Sequence, residues 1–430
     1  MRQMGEGFGE ELRRRRIAAG LSLRDLAALV HYSRGYLSKV ETGQAPAGIQ
    51  LARLCDAALH AGGELVALAA QGQRQPPVTG DYSGVVWAMT AGRGAGNGVR
   101  ILPGKELDTD GAASPARFLL PAPGRPSESQ VESIADSFGA LFTQLRTLGQ
   151  RVSPGVALPA LVAQAHTLRD LAILATGADQ AALLRLAARY AEYTGWMMQE
   201  AGDESAALWW TSQAAQFAAA GGDLVMGVYT LVRRSLICLY QEDHRQTVHL
   251  GQLAQADASA PARVRGLAAL REAQGHALAG APDECHRALD RARACLAQAG
   301  QEGDSPVLGT STVPDPASMA AGWCLHDLGR PEEAIAILDR EIARIPGQAH
   351  RSRVRYAARR ALAYATAGDV TGACQLTREF LPEARDLASA TIRVDLRRLA
   401  RVLGRWPSNP AVRDIQPALT SVIAAGQAAR

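Results

Sequence analysis

Lysine and aromatic residues are scarce in this sequence. Only Lys39 and Lys105 are lysines among 46 basic residues, and Phe, Trp and Tyr together account for 5% of the 430 residues. The formal net charge of +4 is too small for a protein that binds polyanions by charge alone. No apolar run is long enough to span a membrane, and no secretory signal pattern is present. These absences predict a cytoplasmic protein without a membrane partner.

Sequence patterns of catalytic and metal sites are also missing. The six cysteines are scattered without a CxxC pair, and the chain has no HExxH or GxSxG motif. Cys324 and His326, or Cys285 and His286, lie close in sequence, but no four ligands converge at metal spacing. The glycine-rich stretch 92–98 lacks the Lys-Ser/Thr of a phosphate-binding loop. We therefore expect reduced core cysteines, no metal, no cofactor and no enzymatic activity.

Two short helical patterns lie between Leu21 and Gly43. Ser22, with Asp25 three residues later, predicts a capping box at the start of the first helix. Ser33 predicts an N-cap for the second helix. The apolar residues of both patterns are spaced to face one core, and they are Leu26, Val30, Leu37 and Val40. Glycines stand where helices should stop, at Gly20 and Gly43.

The spacing of these helices resembles the Cro/repressor-type (XRE) helix-turn-helix domain. The resemblance covers residues 8–70 of a predicted domain 1–70, and it implies five helices and a recognition helix at 33–41 that enters the DNA major groove. Arg34 and Lys39 would suit guanine acceptors. The positions that the resemblance assigns to DNA contacts are Ser22, Arg24, Ser33, Arg34, Gly35, Tyr36, Ser38, Lys39 and Thr42.

Gly35 is unusual inside a helix, where it costs about 1 kcal/mol relative to alanine. Either the backbone approaches DNA closely at this position, or the glycine is a tolerated flaw. The resemblance further implies a buried ion pair between Arg16 and Glu41. Two positions depart from the family: His31 stands where glycine is usual, and Leu23 replaces a phosphate-contacting glutamine. The arginine run 13–16 either concentrates charge for DNA or forms a solvated helix face.

Residues 71–130 are rich in glycine and proline, which predicts a linker. Three segments within it are apolar and strand-like: 84–89, 99–102 and 117–120. We expect them to form short extended stretches.

Residues 131–430 have an almost entirely helical pattern with a recurring set of small residues. Three copies share offsets of three, seven and twelve positions, and they are Gly195/Met198/Gly202/Ala207, Gly322/Leu325/Gly329/Ala334 and Ala361/Tyr364/Gly368/Ala373. Two looser copies are expected around 237–249 and 276–288. The glycine at the seventh offset would close a turn between two helices, and the small residues would let those helices approach closely.

This pattern resembles the tetratricopeptide (TPR) repeat. The resemblance covers about residues 180–400 and implies an α-solenoid whose concave groove holds a peptide or helix. Each groove candidate either touches a ligand or belongs to the core. The register places these candidates in the groove: Glu192, Trp196, Gln199, Arg234, Gln241, Met319, Trp323, His326, Arg355 and Arg359.

The sequence therefore predicts an all-α protein with an N-terminal helix-turn-helix domain, a partly extended linker and a TPR-like solenoid. The combination resembles the peptide-sensing regulators of the RRNPP group and the HTH–TPR regulators of high-GC Gram-positive bacteria. It implies a homodimeric transcriptional regulator, with repression favoured, that binds a palindromic double-stranded DNA operator and responds to a peptide or small molecule. The alternative is a protein-interaction scaffold with the helix-turn-helix as an anchor.

Overall fold

The computed structural model describes residues 7–30, 34–45, 49–59, 61, 64–65, 68, 85–90, 98–103, 126–299 and 308–425. They fall into two compact units, one with the N-terminal helices and one with the long helical region. Apart from one pair of short strands, the regular structure of the described residues is helical. This confirms the predicted fold class.

Four short helices of the N-terminal unit enclose an apolar core. They are α1 (Phe8–Ala18), α2 (Leu23–Val30), α3 (Arg34–Glu41) and α4 (Ile49–Ala58). The core contains all four apolar residues predicted for it, together with Leu12, Leu51, Cys55 and Leu65. Glu64 and Leu65 are helical, whereas most of the predicted fifth helix lies outside the described residues.

The ends of these helices follow from local chemistry. Gly20 and Gly43 have φ values of +68° and +72°, a left-handed conformation that glycine adopts without a Cβ clash. At the start of α2, the Asp25 amide donates to Ser22 Oγ at 3.2 Å and the Ser22 amide donates to Asp25 Oδ2 at 3.0 Å. This reciprocal pair is the predicted capping box.

Two of the three predicted extended segments of the linker are strands. Strands β1 (Val85–Thr90) and β2 (Gly98–Pro103) pair with each other in a two-stranded sheet. The third predicted segment, 117–120, lies outside the described residues.

The long helical region is a succession of helices joined mostly by short turns. Its helices are α5 (Glu128–Gly149), α6 (Pro154–Leu174), α7 (Gly177–Ala201), α8 (Glu204–Ala220), α9 (Leu224–Tyr240), α10 (His244–Ala256), α11 (Ala262–Leu278), α12 (Pro282–Ala299), α13 (Pro316–Asp327), α14 (Pro331–Ala343), α15 (His350–Thr366), α16 (Val370–Leu387), α17 (Ala390–Leu403) and α18 (Pro410–Ala424). Helices α7, α9, α11 and α13 pack side by side as an inner layer, each also contacting the helix that follows it. This arrangement is an α-solenoid.

The small-residue repeat has the predicted structural role. The glycines at the seventh offset, Gly202, Gly329 and Gly368, have φ values of +91°, +77° and +92° and lie in the turns between paired helices. At the first residue of the copy, a Cβ added to Gly195 would lie 3.2 Å from the Ala207 carbonyl oxygen of the neighbouring helix. A larger residue there would push the two helices apart.

The two looser copies of the repeat were predicted with the wrong register. The left-handed residue of the α9–α10 turn is Glu242, with φ +60°, and that of the α11–α12 turn is Gly280, with φ +70°. The copies therefore begin at Ser235 and Ala273. The first copy was placed two residues late because its turn carries a glutamate where the repeat has glycine, whereas the second was placed three residues late although its turn carries Gly280.

The solenoid curves until its ends meet, and the carboxylate of Glu200 is central to the contacts that join them. Glu200, at the end of α7, is 1% exposed. It accepts hydrogen bonds from Arg351 Nη1 at 3.0 Å, Ser389 Oγ at 2.5 Å and Thr391 Oγ1 at 2.8 Å, and it pairs with Arg355 at 3.4 Å. Because these donors lie 151 to 191 residues away in the chain, Glu200 connects the first helices of the solenoid to the last.

Arg351 extends this connection to the turn between α5 and α6. Its Nε donates to the Gly149 carbonyl at 2.8 Å and its Nη2 to the Val152 carbonyl at 2.5 Å. The Arg351 backbone amide also donates to the Gln150 carbonyl at 2.9 Å. The buried guanidinium thus satisfies three separate acceptor groups and fixes α15 against the beginning of the solenoid.

Glu200→Gln is expected to lower the free energy of unfolding by about 3–5 kcal/mol, because the buried arginines would lose their counter-charge. Burial raises the pKa of the Glu200 carboxyl, but Arg355, Arg351 and the two hydroxyls outweigh it and hold the pKa below its usual range. A lowered pKa stabilises the fold above the unfolded-state pKa, and this stabilisation disappears as the pH falls through the folded-state pKa. Urea unfolding at neutral and acid pH measures both effects.

Glu379→Gln is the matched control, since Glu379 is exposed on α16. Its effect should stay within about 0.5 kcal/mol. Equal stability of the two variants at neutral pH would contradict the role of Glu200.

Candidate nucleic-acid interface and ligand cavity

Helix α3 has one buried and one exposed face. Leu37 and Val40 are buried in the domain core. The exposed face carries four of the residues predicted to contact DNA, and they are Arg34, Gly35, Ser38 and Lys39. These side chains offer a guanidinium, an ammonium and a hydroxyl on one helix face, a set that suits acceptors on base edges in a major groove.

The other predicted DNA contacts lie around this face. Ser22 and Arg24 are exposed at the start of α2, and Thr42 is exposed after α3, where its hydroxyl donates to the Ser38 carbonyl at 2.9 Å. Tyr36 is half-buried and packs against the core. Ser33 and His31 lie outside the described residues. Leu23 also packs against the core.

The predicted partners Arg16 and Glu41 form a two-bond ion pair. Arg16 Nε and Nη2 donate to the Glu41 carboxylate at 2.6 and 2.8 Å, and Nη1 donates to the Leu21 carbonyl at 2.9 Å. The hydrogen bond to Glu41 raises the pKa of the Arg16 guanidinium. Sequence reasoning missed Gly9, where a Cβ would lie 2.3 Å from the Val40 carbonyl oxygen. Gly9 therefore permits the close α1–α3 packing that brings Arg16 to Glu41.

Most of the arginine run on α1 is used inside the domain. Arg14 and Arg15 pair with the buried Glu11, at 2.6 and 2.5 Å, and Arg15 also pairs with Glu64. Among the described residues, Arg13 is the one member of the run without an ion pair, so the run does not form a continuous basic surface.

A cavity of about 440 Å³ lies inside the closed solenoid. Four of the ten predicted groove residues line it: Glu192, Trp196, Trp323 and Arg355. The cavity thus lies along the inner layer, where the repeat architecture was expected to form a concave groove.

Six predicted groove residues are not among those that line the cavity. Gln199 and Met319 are buried between helices, at 4% and 0% exposure. Arg234 and Gln241 are exposed, because the copy in α9–α10 begins two residues earlier than predicted. His326 bonds with Asp327 and Thr366. Arg359 is buried over the Trp323 ring and pairs with Asp395 at 3.0 Å.

The corrected register identifies lining residues that the sequence analysis missed. Counting back from the first residue of each copy (195, 235, 273, 322 and 361), the position six residues earlier lines the cavity in all five copies, and these residues are Arg189, Tyr229, Leu267, Pro316 and Arg355. The position two residues earlier lines it in four, and these are Tyr193, Arg233, Arg271 and Ala320. The sequence therefore contained the lining positions, but they can be identified only when the copies of the repeat are aligned correctly.

A loop from Leu308 to Thr312 lies against the cavity. Arg146 of α5 donates to the Gly309 carbonyl at 3.0 Å, and Arg263 of α11 donates to the Leu308 and Thr310 carbonyls at 2.9 and 2.7 Å. Thr312 Oγ1 bonds with Ser352 Oγ of α15 at 2.7 Å. The loop therefore links α5, α11 and α15, and its residues form part of the cavity wall.

Glu192 and Arg233 form an ion pair in the cavity wall. Arg233 Nε lies 3.0 Å from Glu192 Oε1, and both side chains are largely buried. Burial raises the pKa of the Glu192 carboxyl, and Arg233, Arg146 and Arg189 act against that rise. The cavity thus contains one carboxylate surrounded by several arginines.

Two further features bear on the site. Within the ranges described, no group of three His, Cys, Asp or Glu side chains could hold a metal ion. None of the described helices is both long and apolar enough to cross a membrane.

Comparisons with known proteins agree with the N-terminal part of this arrangement. Residues 8–69 match a family described as "Helix-turn-helix domain". Among solved structures, the chain is similar to the one titled "Crystal Structure of Rap Protein Complexed with Competence and Sporulation Factor". That likeness has 11% sequence identity and a TM-score of 0.42, and it covers 70% of this chain and 100% of the other. The comparison with curated proteins gave no match. The N-terminal unit therefore contains a helix-turn-helix domain.

Proposed function

We propose that this protein is a sequence-specific DNA-binding transcriptional regulator whose activity is controlled by a ligand in the solenoid cavity. The observation that carries the proposal is the exposed polar face of α3 within a helix-turn-helix domain. The cavity supplies a second site, and a ligand can act from it only by binding two states of the protein with different affinity. The chain is proposed to act without enzymatic chemistry.

The finer assignment rests on the resemblance to Cro/repressor-type and RRNPP-type regulators. On this resemblance we propose a homodimer that binds a palindromic operator with half-sites about one helical turn apart, and we favour repression over activation. Genome-wide occupancy of the tagged full-length protein, followed by footprinting, tests this. A few sharp peaks with an inverted repeat are expected, and diffuse occupancy would contradict sequence-specific binding.

The second candidate function is a protein-interaction scaffold. Trp209 on α8 is 43% exposed and Leu208 beside it is 40% exposed, so an apolar surface is available for a protein partner. A stoichiometric partner that is retained by the full-length chain and lost in Trp209→Ala, with diffuse DNA occupancy, would favour this function over regulation.

Arg34→Ala is expected to weaken operator binding by about 1–3 kcal/mol and to relax base selectivity, because an exposed guanidinium on α3 would bind a guanine edge. Electrophoretic mobility shifts on the footprinted site and on single-base variants measure both effects. Arg13→Ala is the control, since it removes one exposed arginine from the same domain. Equal losses for the two variants, without a change of selectivity, would reduce Arg34 to a general electrostatic role.

Gly35→Ala is expected to stabilise α3 by about 1 kcal/mol and yet weaken operator binding. A Cβ at Gly35 meets no atom of the described residues within 4 Å, so no packing contact in that part of the domain requires glycine there. Hydrogen exchange of the α3 amides measures the stability, and mobility shifts measure the binding.

Gly227→Ala in α9 is the matched control, because its Cβ would also meet nothing within 4 Å. It should not change operator binding. Unchanged DNA affinity of Gly35→Ala would show that the glycine is only tolerated.

A further inference from the structure

The walls of the solenoid cavity carry a marked excess of positive charge. The charged lining residues within the described ranges are five arginines and one glutamate: Arg146, Arg189, Arg233, Arg271, Arg355 and Glu192. Two of the arginines have a carboxylate in direct contact. Arg233 pairs with Glu192 at 3.0 Å, and Arg355 pairs with Glu200 at 3.4 Å.

Arg271 has no such partner among the described residues. Its Nη1 donates to the neutral Gln274 amide oxygen at 2.6 Å, and its Nε is shielded from solvent without an acceptor. Burial lowers the pKa of the Arg271 guanidinium, and the nearby positive charge of Arg355 lowers it further. A partly buried cation without a counter-charge is costly, so a bound anion would relieve that cost.

The repeat explains why Arg271 lacks a carboxylate. Arg233 and Arg271 occupy the same position in consecutive copies, two residues before Ser235 and Ala273. The partner of Arg233 is Glu192, three residues before the start of the preceding copy. The residue equivalent to Glu192 for Arg271 is Val232, which is 4% exposed and also lines the cavity. The arginine at this position is thus paired with a carboxylate in one copy and has none in the next, among the described residues.

The remaining wall combines aromatic and apolar side chains with uncharged polar ones such as Thr143, Gln274 and Ser352. The rings that line it belong to Phe142, Tyr193, Trp196, Tyr229, Trp323 and Tyr356. Arg189 lies 5.2 Å from the centre of the Phe142 ring, so a second guanidinium is held at the wall by an aromatic face. Such a surface favours a ligand with a flat or apolar body next to its anionic group.

The volume and closure of the cavity favour a small ligand over a peptide. About 440 Å³ lies within the range of about 300–1,000 Å³ that is typical of pockets for small molecules. The Glu200 contacts close the solenoid, and the loop from Leu308 to Thr312 is bonded across inner helices. An extended peptide would need an open groove along the inner layer.

We propose that the cavity binds a small organic anion, with a carboxylate or phosphate paired to Arg271 and an aromatic or apolar body against the Trp196 and Trp323 rings. This proposal specifies the ligand of the proposed regulator, and the regulatory role of the anion site rests on that proposed function. Binding itself does not depend on DNA recognition, so the two are tested separately.

The test uses two fluorescent probes that differ in one charge. 8-Anilinonaphthalene-1-sulfonate is anionic, and N-phenyl-1-naphthylamine is the neutral counterpart with the same rings. The full-length chain is expected to bind one sulfonate probe, with energy transfer from tryptophan, about tenfold more tightly than the neutral probe. Arg271→Gln should abolish this preference and leave the binding of the neutral probe unchanged.

Val232→Glu provides an independent variant, because it places a carboxylate at the position equivalent to Glu192. It should weaken the sulfonate probe about as much as Arg271→Gln does. Arg287→Gln, which removes an arginine that is 63% exposed on α12, is the matched control and should bind both probes as the parent chain does. Circular dichroism and thermal unfolding check each variant, and Arg189→Gln, at a second cavity arginine, replaces Arg271→Gln or Val232→Glu if either fails to fold.

The outcomes separate the anion site from the regulatory function. Equal affinity for both probes, or a sulfonate affinity that Arg271→Gln leaves unchanged, would overturn the anion site, whatever the DNA experiments give. Displacement of the probe by 1-naphthoate supports a small ligand, whereas displacement by hexa-alanine alone would overturn the size argument. If the probe preference holds but the occupancy experiment shows diffuse binding, the anion site stands and the regulatory function fails.

Discussion

The buried carboxylate of Glu200 is the contact on which the shape of the solenoid depends. Helix pairs alone would generate an open superhelix, because each copy contacts only its neighbours. Glu200 instead receives Arg351, Arg355, Ser389 and Thr391 from the other end of the chain. A buried charge tolerates no loss of partners, so the closed form is held by a small set of geometrically strict contacts. The cavity exists because of this closure.

The same contacts offer a physical route from the cavity to the closure. Arg355 pairs with Glu200 at 3.4 Å and also lines the cavity. Burial and the positive charge of Arg355 both lower the pKa of the Arg271 guanidinium. An anion at Arg271 would attract Arg355 as well and would compete with Glu200 for it. Arg355 would then contribute both to the closed form and to ligand binding. The ligand would therefore bind the closed and less closed states with different affinity, as a ligand-dependent shift between two states requires.

Local features were predictable from the sequence, and distant ones were not. The capping box at Ser22, the core of the N-terminal helices and the turn glycines follow from residues close in the chain. The ion pair of Arg16 with Glu41 followed from a family resemblance, whereas Gly9, which permits it, left no signal because a glycine near a helix start has many explanations. The Glu200 network joins residues more than 150 positions apart, and nothing in the spacing of a repeat indicates where a solenoid closes.

The cavity lies between these cases. Its residues recur at fixed positions of the repeat, so the sequence contained them, but the two looser copies were aligned two and three residues too late. In the first of them, Glu242 stands in the turn where other copies have glycine. With the register corrected, the difference between Arg233 and Arg271 becomes a comparison of like positions. Such a comparison is informative because equivalent positions of the repeat lie on equivalent helices and differ in their side chains. Glu192 balances the charge of Arg233. Val232 at the equivalent position cannot balance that of Arg271, which on our proposal pairs with the anionic ligand.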